Sequence, residues 1–365
     1  MYVPPKEAFV TLKDHKPNFI NNPKCRLLNP TKVESGKISK QILSRVVEQL
    51  REKTKLQLWK NTDSVIDWFE KLPNKKSLRF VSFDIQDYYG SITEKLFTEA
   101  IDWAQGIVKI SDEERDIIFK SKGSWLFDGV SNWKKTGNSK SFDIQMGAWD
   151  SAESTDIVGL FLLSKLNGMK VNGYTINVGI YRDDCLLVSR LSARLIQKLV
   201  DKICEIFHDY DLKIVIDANH KVINFLDITM NLETGVYQPY MKPNNTIKYI
   251  NTKSNHPPCI LANNPENINK RISRNSANET VFKGAIEPYQ KALDENNYKF
   301  QLKFDPNARN VTNRNKRNRN RRITWFNPPF SLNVKTKVGA SFFQIIKECI
   351  PPNHPLYRIC NKNPI

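Results

Sequence analysis

The sequence lacks the patterns that define a disulfide framework, a zinc site or a membrane span. Its six cysteines are scattered, with no Cys-x-x-Cys pair and no His-x-x-x-His partner, so we expect reduced thiols in an intracellular protein. No run approaches the about 18 apolar residues that cross a bilayer, and the first residues do not have the pattern of a signal peptide. We therefore expect a soluble protein of the nucleus or the cytoplasm.

Acidic residues are in short supply. The chain has 38 Asp and Glu against 56 Lys and Arg, which gives a formal net charge of +18. This excess favours a polyanionic partner, most simply nucleic acid. The alternative is an ordinary protein with a basic surface, because net charge alone does not identify a function. With 365 residues, the chain is long enough for a sizeable core and for more than one subdomain.

Three of the few acids lie at the ends of apolar, strand-like runs. Asp84 is near the end of the run 78–85, and Asp183 and Asp184 lie at the bend of an apolar hairpin about 100 residues later. Clustered carboxylates repel one another unless a cation compensates. Two Mg²⁺ ions roughly 3.5–4 Å apart are the arrangement that catalyses phosphoryl transfer, and Mn²⁺ accepts the same oxygen ligands. The three carboxylates therefore predict a two-metal polymerase site. Because successive strand residues point to opposite faces, Asp183 and Asp184 cannot both be full ligands unless the turn distorts. We rank Asp183 above Asp184 as a ligand.

The order of the predicted elements indicates an α+β fold. The Asp84 strand is followed by helices, the acidic hairpin, a helix from Ser192 and a further strand near 212–216. Ahead of them, residues 7–13 and 24–28 alternate as a two-stranded ribbon that carries Lys13, Lys16 and Arg26. These cations could close on a triphosphate, and the alternative is a solvated basic hairpin.

The last third of the chain carries most of the remaining basic clusters. Residues 254–300 predict amphipathic helices, and residues 310–322 form a run of Asn, Lys and Arg that should be disordered when free. This run could bind phosphate, serve as a nuclear-localisation patch or act as a linker. The candidate nucleic-acid-binding residues are Lys270, Arg271, Arg274, Arg314, Lys316, Arg317, Arg319, Arg321 and Arg322.

The motifs taken together resemble those of reverse transcriptases of retroelements. Residues 181–184, Tyr-Arg-Asp-Asp, are similar to the Tyr-x-Asp-Asp box of that family, and residues 83–89 resemble its first palm motif. Residues 145–151 resemble its glutamine–glycine motif, and the basic ribbon resembles its fingers strands. Residues 221–227 resemble the later palm lysine and the primer grip, and the stretch 254–257 is similar to Penelope-like elements.

The resemblance implies a right-hand polymerase that extends a primer with deoxynucleotides on an RNA template. The implied domains are fingers 1–75, palm 76–235 with an insertion at about 96–141, thumb 236–305, and a basic linker and tail 306–365. The implied partners are an RNA template, a DNA primer or RNA–DNA duplex, and deoxynucleoside triphosphates. The implied metal ligands are Asp84, Asp183, Asp184 and the backbone of Ile85.

The resemblance also implies roles around the nucleotide. Lys13, Lys16 and Arg26 would neutralise the triphosphate, Gln145 and Gly147 would position the nucleotide, and Lys221 would protonate the leaving pyrophosphate. Tyr89 would exclude a 2′-hydroxyl. Asp87 is either part of this nucleotide site or a turn residue that caps a helix.

Two features separate this sequence from the family pattern. Ala152 and Glu153 follow Ser151, where the family usually has proline, and no integrase, RNase H or nuclease pattern is found. Two other functions stay open: an RNA-directed RNA polymerase, which uses the same metal chemistry, and a non-catalytic nucleic-acid-binding protein derived from a retroelement. The bulky Tyr89 argues against the first, and the presence of all three acids argues against the second.

Overall fold

The structure is a computed structural model of the chain. It describes residues 7–13, 19–30, 34–123, 125–133, 142–171, 173–243, 246–309, 330–334, 338–355 and 357. Lys16 and the basic run 310–322, with its six candidate binding residues, lie outside the described residues. The chain divides into two compact units, Met1–Asn245 and Thr246–Ile365. No helix in the described part of the chain is long and apolar enough to cross a membrane.

Fourteen strands are found in the described residues. They are β1 Phe9–Leu12, β2 Cys25–Leu28, β3 Gln57–Leu58, β4 Arg79–Ile85, β5 Leu126–Phe127, β6 Asn132–Trp133, β7 Lys170–Val171, β8 Tyr174–Thr175, β9 Val178–Tyr181, β10 Asp184–Ser189, β11 Ile214–His220, β12 Val222–Phe225, β13 Ile228–Asn231 and β14 Tyr237–Pro239.

The helices of the same residues are distributed over both units. They are α1 Glu34–Thr54, α2 Thr62–Lys71, α3 Tyr88–Ser91, α4 Glu94–Gln105, α5 Asp112–Lys120, α6 Ser151–Leu166, α7 Ala193–His208, α8 Pro258–Arg274, α9 Glu279–Ala285, α10 Glu287–Glu295 and α11 Val338–Cys349. With these strands and helices, the predicted α+β class is confirmed.

A five-stranded sheet organises the first unit. Its strand order is β11-β4-β10-β9-β3, and all its pairs are antiparallel except the β3–β9 pair. The interior strand β4 buries Val81, Phe83 and Ile85, which alternate along the strand as one apolar face. The helix α6 packs in the middle of this unit and is apolar on nearly all sides, as expected for a central helix.

Local sequence signals account for several of the helix boundaries. Thr93 caps α4 by accepting a hydrogen bond from the Leu96 amide, and Ser111 and Glu114 form a reciprocal capping box at the start of α5. Both starts follow from the residue types, because these side chains satisfy amide groups that the first helical turn leaves unpaired.

The boundary between the two units differs from the predicted end of the palm at residue 235. Strand β14 pairs with β13, so residues 237–239 belong to the first unit, which extends to Asn245. Strand β3, assigned to the fingers by the sequence, joins the five-stranded sheet through β9. The first difference arises from a local pairing of consecutive strands, and the second from a pairing between segments that are distant in sequence.

The second unit is helical. Its core is formed by apolar side chains of α8, α9 and α10 and of the segment after them, with Phe282 and Leu293 almost fully buried. The helix α11 belongs to the same unit. The amphipathic pattern of residues 254–300 is thus confirmed as a small helical unit.

Candidate active site

Asp84 and Asp184 lie directly opposite each other on neighbouring strands. The antiparallel register of β4 and β10 pairs these two residues, and the Ile85 amide donates to the Asp183 carbonyl at 3.0 Å. This bond flanks the pair, so Asp84 and Asp184 are a non-hydrogen-bonded pair, the type in which facing side chains approach most closely. Paired residues point to the same face of a sheet, at a Cβ separation of about 4.5–5.5 Å. The two carboxylates therefore share one surface.

Asp183 lies in the two-residue turn that joins β9 to β10. Tyr181 pairs with Asp184, which leaves Arg182 and Asp183 as the turn. Arg182 has a φ of 56°, the left-handed region that side-chain-bearing residues seldom adopt. The tight turn brings all three acids to one end of the sheet. Asp184, rather than Asp183, is the cross-strand partner of Asp84, and the ranking of Asp183 above Asp184 as a metal ligand stays a prediction.

The electrostatics of this cluster are unfavourable without a cation. Burial and, after it, the charges of Asp183 and Asp84 raise the pKa of Asp184 to about 6. Lys242 opposes the shift. Nothing in the sequence had pointed to Lys242, which lies beyond β14 and comes near the acids only in the folded chain.

The donor set of the cluster suits a divalent metal. In the described part of the chain, no three His, Cys, Asp or Glu side chains are gathered closely enough to hold a metal ion as they stand. Burial and the neighbouring charges of Asp183 and Asp84 nevertheless disfavour the ionised form of Asp184, and a divalent cation would offset both effects. Carboxylate oxygens are the ligands that Mg²⁺ prefers. Asp84, Asp183 and Asp184 could therefore hold such an ion.

A cavity of ≈ 360 Å³ brings together most of the residues predicted to contact a nucleotide. Its volume falls within the range of about 300–1,000 Å³ that is typical of small-molecule sites. The residues that line it are Lys13, Cys25, Arg26, Leu27, Asn29, Asp87, Tyr89, Gly90, Leu126, Asp143, Ile144, Gln145 and Met146. Lys13 and Arg26 of the β1–β2 ribbon thus line the same cavity as Asp87 and Tyr89, which follow Asp84 closely in sequence.

The individual cavity residues are held by the backbone around them. The backbone of Lys13 is held by a hydrogen bond of 2.8 Å from its amide group to the Lys24 carbonyl. Arg26 is exposed on β2. Asp87 has a φ of 46° and precedes the short helix α3, so it is a turn residue that also lines the cavity. Tyr89 is half-buried, and burial raises its pKa.

Gly147 is not among the residues that line the cavity, and its predicted role in positioning the nucleotide stays a prediction. It has a φ of 108°, and a Cβ at this position would lie 2.9 Å from the Asn29 carbonyl oxygen. The adjacent Met146 carbonyl accepts a bond from the Asn29 amide at 3.0 Å. The glycine therefore lets the 145–148 loop lie against the end of β2, and it contacts the chain's own backbone.

Lys221 lies away from the carboxylates. It follows His220, which pairs with Phe80 near the other end of β4. Phe80 is four residues, and therefore about 13 Å along the strand, from Asp84. Its ammonium group contacts the Lys76 carbonyl and lies 3.2 Å from a Glu233 carboxylate oxygen. The predicted proton donation by Lys221 is thus corrected by the structure, because the strand β11 carries this residue to the far end of the sheet. The Ile85 backbone lies next to the acidic turn, because its amide group donates a hydrogen bond to the Asp183 carbonyl.

The predicted nucleic-acid residues of the second unit lie on one helix. Lys270, Arg271 and Arg274 are in the last turns of α8, where Arg271 is exposed and the other two are half-buried. Lys270 pairs with Glu266 at 2.6 Å. This helix buries Ile268 and Ile272 on its other side, so the basic residues form a charged face.

A buried ion pair that no sequence pattern indicated supports the cavity. Lys122 and Asp150 are both about 2% exposed in their side chains and contact each other. The Ser121 hydroxyl also donates to the Asp150 carboxylate at 2.8 Å, and the Lys122 carbonyl accepts from the Asp143 amide at 3.0 Å. The loop 143–150, which supplies a wall of the cavity, is therefore held at both ends by Lys122. In the sequence, Lys122 stands among polar residues and is typical of a solvated surface.

Comparison with known proteins identifies the fold. No protein-family model and no curated protein matches the sequence. Among solved structures, the RNA-dependent RNA polymerase of a human picobirnavirus is similar with a TM-score of 0.53 and 11% identity, over 80% of this chain and 59% of that one. Apo telomerase from Candida tropicalis is similar with a TM-score of 0.47 and 13% identity, over 81% and 58% of the two chains. A C-terminally truncated form of that telomerase aligns over 55% of this chain and 45% of its own, with a TM-score of 0.43 and 15% identity.

These likenesses concern the fold, and the chain spans about half the length of the solved structures that it matches. The chain has the right-hand fold that nucleic-acid polymerases share, as the sequence predicted, and its carboxylates lie at the end of the central sheet of that fold.

Proposed function

We propose that this chain is an RNA-directed DNA polymerase that adds deoxynucleotides to a primer 3′ end. The observation that carries the proposal is the cross-strand pair of Asp84 and Asp184 with Asp183 in the adjoining turn. A non-catalytic descendant of a polymerase would have no reason to retain three mutually repelling carboxylates at one sheet end, since their repulsion costs stability. The cavity lined by Lys13 and Arg26 adds cations that suit a triphosphate.

In this reaction a primer 3′ oxygen attacks the α-phosphate of the nucleotide and releases pyrophosphate. We propose that Asp84, Asp183 and Asp184, with the backbone of Ile85, hold two Mg²⁺ or Mn²⁺ ions. When bound, such ions activate the attacking oxygen and stabilise the leaving one. Lys13 and Arg26 bind and orient the triphosphate, and Lys16 belongs to the same predicted ribbon.

Two further residues would contact the nucleotide, and the first of them supports a DNA product. Tyr89 is a half-buried wall of the cavity, and it follows Asp84 by five residues, as in the sugar-selecting motif that the sequence resembles. A bulky ring at that point excludes a 2′-hydroxyl by steric contact. Gln145, which is 8% exposed, lines the same cavity and orients the nucleotide.

The template–primer duplex needs a surface of positive charge. The α8 residues Lys270, Arg271 and Arg274 provide one, and the basic run 310–322 provides a second in the sequence. We propose that both contact phosphates without reading bases. A retroelement source and a nuclear or cytoplasmic site of action belong to the same proposal, and both rest on the motif order and the composition.

The second candidate is an RNA-directed RNA polymerase. It is favoured by the likeness of the fold to a picobirnavirus polymerase that makes RNA, and it uses the same carboxylate chemistry. The two candidates differ in the sugar that the cavity accepts, so Tyr89 is the residue that distinguishes them.

The test is primer extension on an RNA template by the full chain with Mg²⁺, or with Mn²⁺, and either deoxynucleotides or ribonucleotides. Extension with deoxynucleotides that is lost in Asp84→Asn supports the proposal, and gain of ribonucleotide use by Tyr89→Ala supports the sugar filter. Extension by the wild type with ribonucleotides alone would favour the RNA polymerase. A folded, duplex-binding protein that extends neither would leave the non-catalytic binding function.

A further inference from the structure

The turn that carries Asp183 has an unusual residue at its first position. Arg182 adopts a φ of 56°, a conformation that costs a side-chain-bearing residue roughly 1–2 kcal/mol and that glycine or asparagine adopts more readily. The bulk of Arg182 does not serve the turn geometry itself. Its side chain must therefore contribute through its contacts.

Those contacts join the turn to the central helix α6. The Arg182 guanidinium forms an ion pair with the Asp156 carboxylate and donates to the Ala152 carbonyl at 2.5 Å. The two side chains are 29% and 14% exposed, so the pair is largely shielded from water. A guanidinium held by both a carboxylate and a backbone carbonyl has a fixed orientation, unlike a solvated surface pair.

The same stretch of α6 also reaches the cavity. The Tyr88 hydroxyl donates to the Thr155 carbonyl at 3.0 Å, next to the cavity residue Tyr89, and the Ser151 hydroxyl donates to the Gln145 carbonyl. The first two turns of α6 thus contact the acidic turn, the tyrosine segment and the cavity loop. Any shift of the turn relative to α6 changes its position relative to the cavity.

We propose that Arg182 and Asp156 are a positioning pair that docks the Asp183–Asp184 turn onto α6, and so sets the distance between the carboxylates and the nucleotide cavity. This inference rests on the proposed function of the turn. Neither residue touches the reacting groups; they act through Asp183 and Asp184. A displacement of about 1 Å between catalytic groups and substrate can reduce a rate about a hundredfold, so a small shift of the turn would lower the extension rate strongly.

The experiment compares Arg182→Met, Asp156→Asn, their double variant and Arg182→Lys, with Arg190→Met as control. Arg190 is an exposed arginine just after β10, outside the turn. Two readouts are used: hydrogen exchange of the first unit, and the single-turnover extension rate together with the nucleotide KM. The Ile85 amide is a direct reporter, because it donates to the Asp183 carbonyl.

We expect Arg182→Met and Asp156→Asn each to speed exchange at Ile85 and in residues 178–186 by about tenfold, with the rest of the sheet unchanged. Each should lower the single-turnover rate by about tenfold to a hundredfold while the KM stays within about threefold. The double variant should be no worse than the worse single one, since both remove the same contact. Arg182→Lys should recover part of the rate.

Three results would overturn the inference. The first is an Ile85 amide that exchanges as in the wild type in both single variants. The second is hydrogen exchange that rises equally in all strands of the sheet. The third is a double variant whose loss of extension rate is the product of the two single losses. If Arg182→Met does not fold, Asp156→Asn and Arg182→Lys decide the outcome by the same readouts. A wild type without extension activity refutes the proposed function only, because the exchange readout still tests the docking of the turn.

Discussion

Replacing Asp184 by asparagine should make the metal-free protein more stable while it abolishes nucleotide addition. Burial of the carboxyl, and after it the charges of Asp183 and Asp84, raise its pKa from the usual 3.8 to about 6. Asparagine has the same shape without the charge. It therefore removes the repulsion and the burial penalty of the charged form, and it also removes a proposed metal ligand.

The magnitude and its pH dependence follow from linkage. The folded protein binds the Asp184 proton more tightly than the unfolded chain does, so the ionised carboxylate costs stability. That cost is absent below about pH 3.8 and complete above about pH 6. A rise of roughly two pKa units corresponds to at most about 3 kcal/mol, and partial exposure of the side chain lowers this to about 1–3 kcal/mol. For a unit of this size we expect a Tm higher by about 2–12 °C.

The assay is thermal unfolding of wild type and Asp184→Asn in EDTA at pH 4 and pH 7.5, with Asp116→Asn as control. Asp116 is an exposed acid on α5. The Tm gain should be present at pH 7.5, shrink at pH 4 and be absent in the control. Added Mg²⁺ should raise the Tm of the wild type more than that of Asp184→Asn. An Asp184→Asn protein no more stable than wild type at pH 7.5 would refute the reasoning.

Three further predictions concern two residues that support the cavity loop and one basic residue of α8. Gly147→Ala should destabilise the first unit by about 1–3 kcal/mol, because a Cβ would meet a backbone carbonyl at a positive φ; unchanged urea unfolding would contradict this. Lys122→Met should cost about 3–5 kcal/mol by leaving Asp150 buried without its cation, and a loss below about 1 kcal/mol would show that the carboxyl is simply protonated. Arg271→Gln should lower the slope of log affinity against log salt for duplex by about 1, measured by anisotropy titration, whereas Lys283→Gln on α9 should leave it unchanged.

The local features of this chain could be predicted from its residues. The alternation of residues 7–13 indicates β1, and the apolar spacing of residues 37–50 is typical of a helix such as α1. Thr93 and Ser111 are residue types that begin helices, and they begin α4 and α5. Periodicity and capping depend on neighbours within one or two turns, so a single sequence carries them. The acids at the ends of β4 and β9–β10 were visible for the same reason.

Strand register and burial were decided by the tertiary structure. The pairing of Asp84 with Asp184, rather than with Asp183, depends on how two strands about 100 residues apart align, and a shift by one residue would reverse the facing side chains. Register also explains why Lys221 is at the far end of the sheet.

The sequence by itself determined the charge, the elements and the three acids at strand ends. Only the folded chain made Lys122 and Asp150 a buried pair, and joined Arg182 to Asp156 across 26 positions of sequence. Lysine and arginine among polar neighbours are typical of a solvated surface. Their burial becomes favourable only when a distant segment supplies a carboxylate in a fixed position, and that complementarity exists in three dimensions and leaves no periodic signal in the chain.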